Sequence, residues 1–226
     1  MPSFHAPING LLYNLMRKTG MDNAAPVRAA RFFYNQWAIQ SWRRKGEPVP
    51  PPYAVKRQTL REYGRRFGLR MLVETGTFYG DTSFALRNDF DRIATIELDR
   101  ALYERASGRL KAYPHITLLQ GDSGKLITRV LAEVSEPVLF WLDAHYSGGF
   151  TARGDLDSPI FAELDAILTH SIRNHVILID DARDFTGQGG YPTLPRLHEY
   201  VQAKRPDLTM ETRSDVIRIH SGLGPM

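Results

Sequence analysis

The sequence predicts an α/β protein built on a doubly wound, mostly parallel seven-stranded sheet, and three observations carry that expectation. From residue 54 onward, apolar runs of strand length alternate with stretches of helical periodicity. Almost every apolar run ends in an acidic residue. The first run, Met71-Leu72-Val73-Glu74, breaks into a turn at Gly76 and Gly80, with Asp81-Thr82 placed to start a helix. In a parallel sheet these run ends share one rim, where ligands collect.

The chain before that alternation reads differently. Helices are expected over residues 8–18 and 26–44, the second carrying Phe32, Phe33, Trp37 and Ile39 and ending in Arg43-Arg44-Lys45, which suits the helix dipole. Gly46-Glu47-Pro48-Val49-Pro50-Pro51-Pro52 cannot continue a helix and reads as an extended connector. Residues 1–53 are therefore expected to form a helical appendage with its connector, and residues 54–226 the main domain.

Charge follows the same division. Residues 1–60 hold nine Lys/Arg against Asp22 and Glu47, while the rest carries 20 basic and 23 acidic residues, so the net charge of +4 belongs to the appendage. Contact with an anionic surface by residues 1–60 is one reading of this, a solvated basic helix face the plainer one. The aromatic residues there suit packing, a homodimer surface or a lid. No specific nucleic-acid partner is expected.

At 226 residues the chain suits one α/β domain with extra elements rather than two ordinary enzyme domains. No window approaches the ~18 consecutive apolar residues of a membrane span, and the first residues lack a signal-peptide pattern. With no cysteine, disulfides and thiolate zinc sites are excluded, which fits a reducing, cytoplasmic setting.

Within the main domain the expected order is helix 55–67, strand 70–75, helix 82–88, strand 92–97, helix 101–112 and strand 116–120. Helix 125–134, strand 138–142, helix 160–170, strand 175–179 and helix 193–203 follow. The last two strands, 208–212 and 216–220, are separated by Arg213-Ser214-Asp215, short enough for an antiparallel hairpin.

The strand ends carry the chemistry. They are Glu74, then Glu97 with Asp99 behind it, Asp122-Ser123, Asp143-Ala144-His145, and Asp180-Asp181. A dinucleotide enzyme would need G-x-G-x-x-G, whereas the spacing is Gly76-x-x-x-Gly80, so no pyrophosphate cradle is predicted. Gly121-Asp122-Ser123-Gly124-Lys125 lacks the spacing and the hydroxyl residue of a nucleoside-triphosphate loop. Asp143, Asp180 and Asp181 at neighbouring strand ends would make a hard-cation site of oxygen ligands, since three crowded carboxylates need a compensating cation.

This order of motifs over about residues 70–220 resembles the class I S-adenosylmethionine-dependent methyltransferases, whose first motif is an acid, a residue, a glycine, three residues and a glycine. The resemblance implies a Rossmann-like methyltransferase fold. It implies that Glu74, Gly76 and Gly80 flank the amino-acid end of the cofactor, that Glu97 accepts hydrogen bonds from both ribose hydroxyls, and that Asp122 and Ser123 lie near adenine. A carboxylate suits a diol because it accepts two hydrogen bonds at once.

The fourth and fifth strand ends resemble the metal-dependent O-methyltransferases, of the catechol type and the sugar-modifying antibiotic type, in which acids at these positions hold magnesium. That implies Mg2+ at Asp143, Asp180 and Asp181 and methyl transfer to a hydroxyl of a small molecule or sugar by in-line displacement. His145 stands where an acid is common in the sugar-modifying group. With an unperturbed pKa of ~6.5 it is a candidate base beside Asp143. Substrate contacts are expected from the glycine-rich stretches 146–155 and 183–191, including Arg153 and Arg183, while His170, His175, His198 and His220 read as structural. The alternatives are a metal-independent methyltransferase and a non-catalytic cofactor-binding or assembly protein that docks through its basic N-terminal helices.

Overall fold

The computed structural model describes residues 25–143 and 159–222, and the chain divides into two compact units at Glu47 and Pro48. In the first unit, helix α1 spans Ala25–Arg44 and ends on Arg43 and Arg44. Phe33 and Trp37, one turn apart on it, are 70% and 63% exposed. The helix expected over residues 8–18 lies outside the described residues.

The second unit contains seven strands: β1 (Met71–Thr75), β2 (Arg92–Glu97), β3 (Ile116–Gln120), β4 (Leu139–Leu142), β5 (Val176–Ile179), β6 (Thr209–Arg213) and β7 (Val216–His220). They form one sheet in the order β3-β2-β1-β4-β5-β7-β6. The first five run parallel, with Val73 opposite Ala94 and Phe140, and β7 joins β5 antiparallel. The β6–β7 hairpin turns on two residues, Ser214 and Asp215, with φ of 51° and 62°. Two successive positive-φ residues match the right-handed twist of the strands they join.

Helices α2 (Tyr53–Arg66), α3 (Asp81–Leu86), α4 (Arg100–Leu110), α5 (Ser123–Leu131), α6 (Ile160–Thr169) and α7 (Leu194–Lys204) complete the unit. Strand alternation sorts the core into two layers. Val73, Ile96, Phe140 and Ile177 point to one face and pack with Ile127, Leu164 and Leu197. Leu72, Ile93, Trp141 and Leu178 point to the other and pack with Leu60, Phe84 and Leu110.

Helix starts follow side-chain caps. Asp99 accepts from Leu102 N and Thr193 from Arg196 N. Asp122 accepts from Gly124 N, so α5 begins at Ser123, two residues before the expected position. The first turn after β1 depends on its glycines: Gly76 and Gly80 have φ of 83° and 71°. A Cβ on Gly80 would also approach Leu110 Cδ1 to 3.0 Å.

Candidate functional site

The carboxyl ends of β1, β2, β4 and β5 lie side by side and carry the acids that the sequence singles out. The turn after β1 is tied down by Gly76 N and Thr77 N, both donating to Ile96 O, and by Gly80 N donating to Thr77 O. Glu97 closes the same turn. Its Oε2 accepts from Phe78 N at 2.7 Å and its Oε1 from Asp99 N at 2.9 Å. Burial raises the pKa of Glu97 while these two backbone donors pull it back. A carboxylate has about four acceptor sites, so both oxygens retain capacity for further donors such as a diol.

Glu74, at the end of β1, faces inward. It is 1% exposed, and its Oε2 accepts from Ser83 Oγ at 2.5 Å and Thr95 Oγ1 at 2.8 Å. It thereby braces β1, β2 and α3 from inside the fold instead of lining the outer face of the turn. Burial pushes its carboxyl up to about 7, against the two hydroxyl donors.

Asp122 caps α5 through Gly124 N at 2.9 Å and keeps Lys125 Nζ at 3.7 Å. Ser123 behind it is buried and hydrogen-bonds to Glu163 of α6. Glu163, which sequence reading did not single out, is buried beside the carboxyl end of β1. It is 1% exposed, and burial pushes its carboxyl up to about 7 while Ser123 and Thr75 hold it lower. Its Oε1 is buried, with the Thr75 hydroxyl beside it and no other hydrogen-bond partner among the described residues.

A raised carboxyl pKa in the folded state means that the native protein binds a proton more tightly than the unfolded chain. Its contribution to stability is full below the unfolded value near 4.5 and declines as pH rises toward about 7. The expected outcome for Glu163→Gln is a denaturation midpoint that loses part of its decline between those pH values. The variant should gain stability relative to the parent at pH 8, by roughly 1–3 kcal/mol. Urea melts of both proteins at pH 5 and pH 8 read this directly.

Asp143, Asp180 and Asp181 each present an oxygen within 4.8 Å of the others, and the latter two are buried. Asp143 N donates to Thr75 O and Asp180 N to Leu142 O, so sheet pairing fixes both backbones. Asp181 has left-handed backbone, φ 51° and ψ 50°, a conformation that aspartate tolerates better than most residues. Its N–H donates to Asp180 Oδ1 at 2.8 Å.

The cluster already contains cations from the chain. Lys56, in the first turn of α2, places Nζ 2.6 Å from Asp180 Oδ2 and 2.9 Å from Asp181 Oδ1. Arg183 Nη1 lies 2.8 Å from Asp181 Oδ1 and also pairs with Asp215. Burial alone would lower the pKa of Lys56, but Asp180, Asp181 and Asp143 outweigh it and raise it. Burial and then Asp143 push Asp180 well above the usual carboxylate range, with Lys56 opposing them. Tyr53, one turn before Lys56, has its hydroxyl pKa raised by burial and then by Asp143.

Three converging carboxylates suit a hard divalent ion as a donor set. The positions around Asp180 and Asp181 are, however, engaged by Lys56 and Arg183. Arg183, expected from sequence as a substrate contact on a loop, is thus an anchor for Asp181 and the β6–β7 turn. His145, Arg153 and the stretch 146–155 lie outside the described residues. His170 and His175 fill a structural role: His170 Nδ1 lies 3.0 Å from His175 Nε2, and His175 Nδ1 accepts from Val138 N at 3.1 Å.

Lys56 had one sequence signal. It begins the series Lys56, Leu60, Tyr63, Phe67 at helical spacing, a lysine at the head of an otherwise apolar stripe.

No protein-family model matches the chain, and no curated protein sequence matches it. Solved structures do. An O-methyltransferase, TomG from Streptomyces achromogenes, involved in tomaymycin synthesis and solved with SAM, aligns over 82% of this chain and 87% of its own at TM-score 0.55 and 21% identity. An O-methyltransferase from Bacillus cereus in complex with SAH aligns over 91% and 96%, at TM-score 0.56 and 15% identity. The SAH-bound methyltransferase PaMTH1 of Podospora anserina aligns over 97% and 99%, at TM-score 0.52 and 15% identity. At these identities what is shared is the fold, a Rossmann-like α/β architecture.

Proposed function

We propose that this chain is an S-adenosylmethionine-dependent O-methyltransferase acting on a hydroxyl of a small molecule or sugar. The observation that carries the reading is the rim itself: a positive-φ glycine turn closed by Glu97, and an acid cluster two strands away, on a fold shared with proteins solved with SAM or SAH. When bound, S-adenosylmethionine supplies an activated methyl on a sulfonium; the acceptor oxygen takes the methyl carbon, the carbon–sulfur bond breaks, and the hydroxyl proton leaves.

The chain's residues divide that work. Glu97 accepts hydrogen bonds from the ribose, while Gly76 and Gly80 let the backbone turn closely enough to admit the cofactor. Asp122 stands on the nucleoside side, with the buried Ser123 and Glu163 behind it. Asp143, half-buried at the end of β4, marks the side from which the acceptor hydroxyl approaches. Asp143 and His145 are the candidate proton acceptors.

Mg2+ held by Asp143, Asp180 and Asp181 is a second reading, favoured by the convergence of their oxygens. Such an ion would lower the pKa of the acceptor hydroxyl. An anchoring role for the basic, aromatic N-terminal residues, at an anionic surface or between two copies, is compatible with either reading.

The test is transfer of label from methyl-labelled S-adenosylmethionine to a panel of sugars, catechols and lipidic alcohols. Label is expected in one hydroxyl class and in a base-stable ether. Recovery of label only in esters or amines would overturn the O-methyl assignment.

A further inference from the structure

We propose that Lys56 is the resident cation of the Asp180–Asp181 pair and takes the place that a divalent metal would hold, so that this site works without metal. The inference deepens the methyl-transfer reading and rests on it for what the site does, but the assignment of the cation is tested separately.

The geometry is that of a completed ion cluster. Lys56 Nζ is within 2.6 Å of Asp180 Oδ2 and 2.9 Å of Asp181 Oδ1, distances of strong charge-assisted hydrogen bonds. The second oxygen of Asp180 accepts from Asp181 N, and Asp181 Oδ1 accepts from Arg183 as well. Both oxygens of Asp180 and one of Asp181 are therefore already acceptors. Magnesium requires oxygens at about 2.0–2.1 Å in near-octahedral order. An ion meeting the pair would have to displace an ammonium that is itself buried, and the displaced charge would lose both of its carboxylate partners.

Lys56 is also built into its position. It stands in the first turn of α2, whose following turns are fixed by Leu60, fully buried, and Tyr63, 5% exposed. On the acid side, sheet pairing holds Asp180, and the left-handed backbone of Asp181 turns that residue back beside it. A pair spanning 124 residues of sequence is thus clamped from two rigid elements. Within the proposed reaction, Lys56 is a positioning residue: it holds the two aspartates and supplies positive charge beside Asp143.

The test is titration of the full chain with Mn2+, followed by the electron paramagnetic resonance signal of the free ion. The parent protein is expected to leave that signal undiminished at millimolar Mn2+. Lys56→Ala is expected to gain Mn2+ affinity by at least about tenfold, and Lys56→Ala with Asp181→Asn to lose the gain. Stoichiometric Mn2+ binding by the parent protein, abolished by Asp143→Asn, would overturn the proposal, and this outcome needs no Lys56 variant to fold. Calorimetry with S-adenosylmethionine in excess chelator distinguishes the two levels. Cofactor binding without metal keeps the methyl-transfer reading and leaves the cation assignment to the Mn2+ result alone, whereas absence of binding with and without Mg2+ would remove the methyl-transfer reading and leave the Mn2+ result standing.

Discussion

Glu97→Ala is expected to weaken S-adenosylmethionine binding by about two orders of magnitude, the sum of two hydrogen bonds to an ionised acceptor at roughly 1.5 kcal/mol each. The side chain also orders the turn, since it accepts from Phe78 N and Asp99 N, so part of the loss comes from a looser cradle. Glu97→Gln separates the contributions. It keeps the length and one carbonyl acceptor but replaces the other acceptor with a donor that faces a backbone N–H or a ribose hydroxyl. Its expected loss is about tenfold, with a melting temperature between those of the parent and Glu97→Ala, since one backbone N–H loses its acceptor. Calorimetric titration of the three proteins checks this. Equal affinity in all three would remove Glu97 from the cofactor site.

The second large effect is on stability. Lys56→Ala leaves the carboxylates of Asp180 and Asp181, only 2% and 11% exposed, without their shared cation, and the expected cost is about 3–5 kcal/mol in urea unfolding. Arg183 keeps one contact to Asp181, so the loss falls mainly on Asp180. Asp180→Asn in the Lys56→Ala background removes the uncompensated charge and is expected to restore roughly half of the loss. A Lys56→Ala protein as stable as its parent would mean that the ion pair contributes nothing to holding β5 against α2.

The sheet was legible in the sequence because strand-length apolar runs and their acidic ends recur with little interruption from Met71 to Asp181. Both faces of the strands are covered, as continuous runs such as Val-Ile-Leu-Ile at β5 imply. The closing hairpin was legible too, although Arg213 belongs to β6 and the turn is only Ser214-Asp215. Boundaries moved where a side-chain cap decided them, as at Asp122.

The site was legible only as far as the strand-end rule reaches. That rule pointed to Glu74, Glu97, Asp122, Asp143, Asp180 and Asp181 as rim acids, and the last three converge. It could not distinguish an acid that lines a turn from one, like Glu74, that folds inward to meet Ser83 and Thr95, because both are strand-end acids in sequence. It also had no access to Lys56 and Glu163. These come from helices, and their partners are brought to them only by tertiary packing. The sequence posed the question of what balances three aspartates; the fold supplies a lysine from the helix before β1.

The most direct test of the account is calorimetric titration of the parent protein with S-adenosylmethionine in the presence of excess chelator. The account predicts one site per chain, with affinity unchanged when Mg2+ replaces the chelator. No binding up to millimolar cofactor under either condition would contradict it.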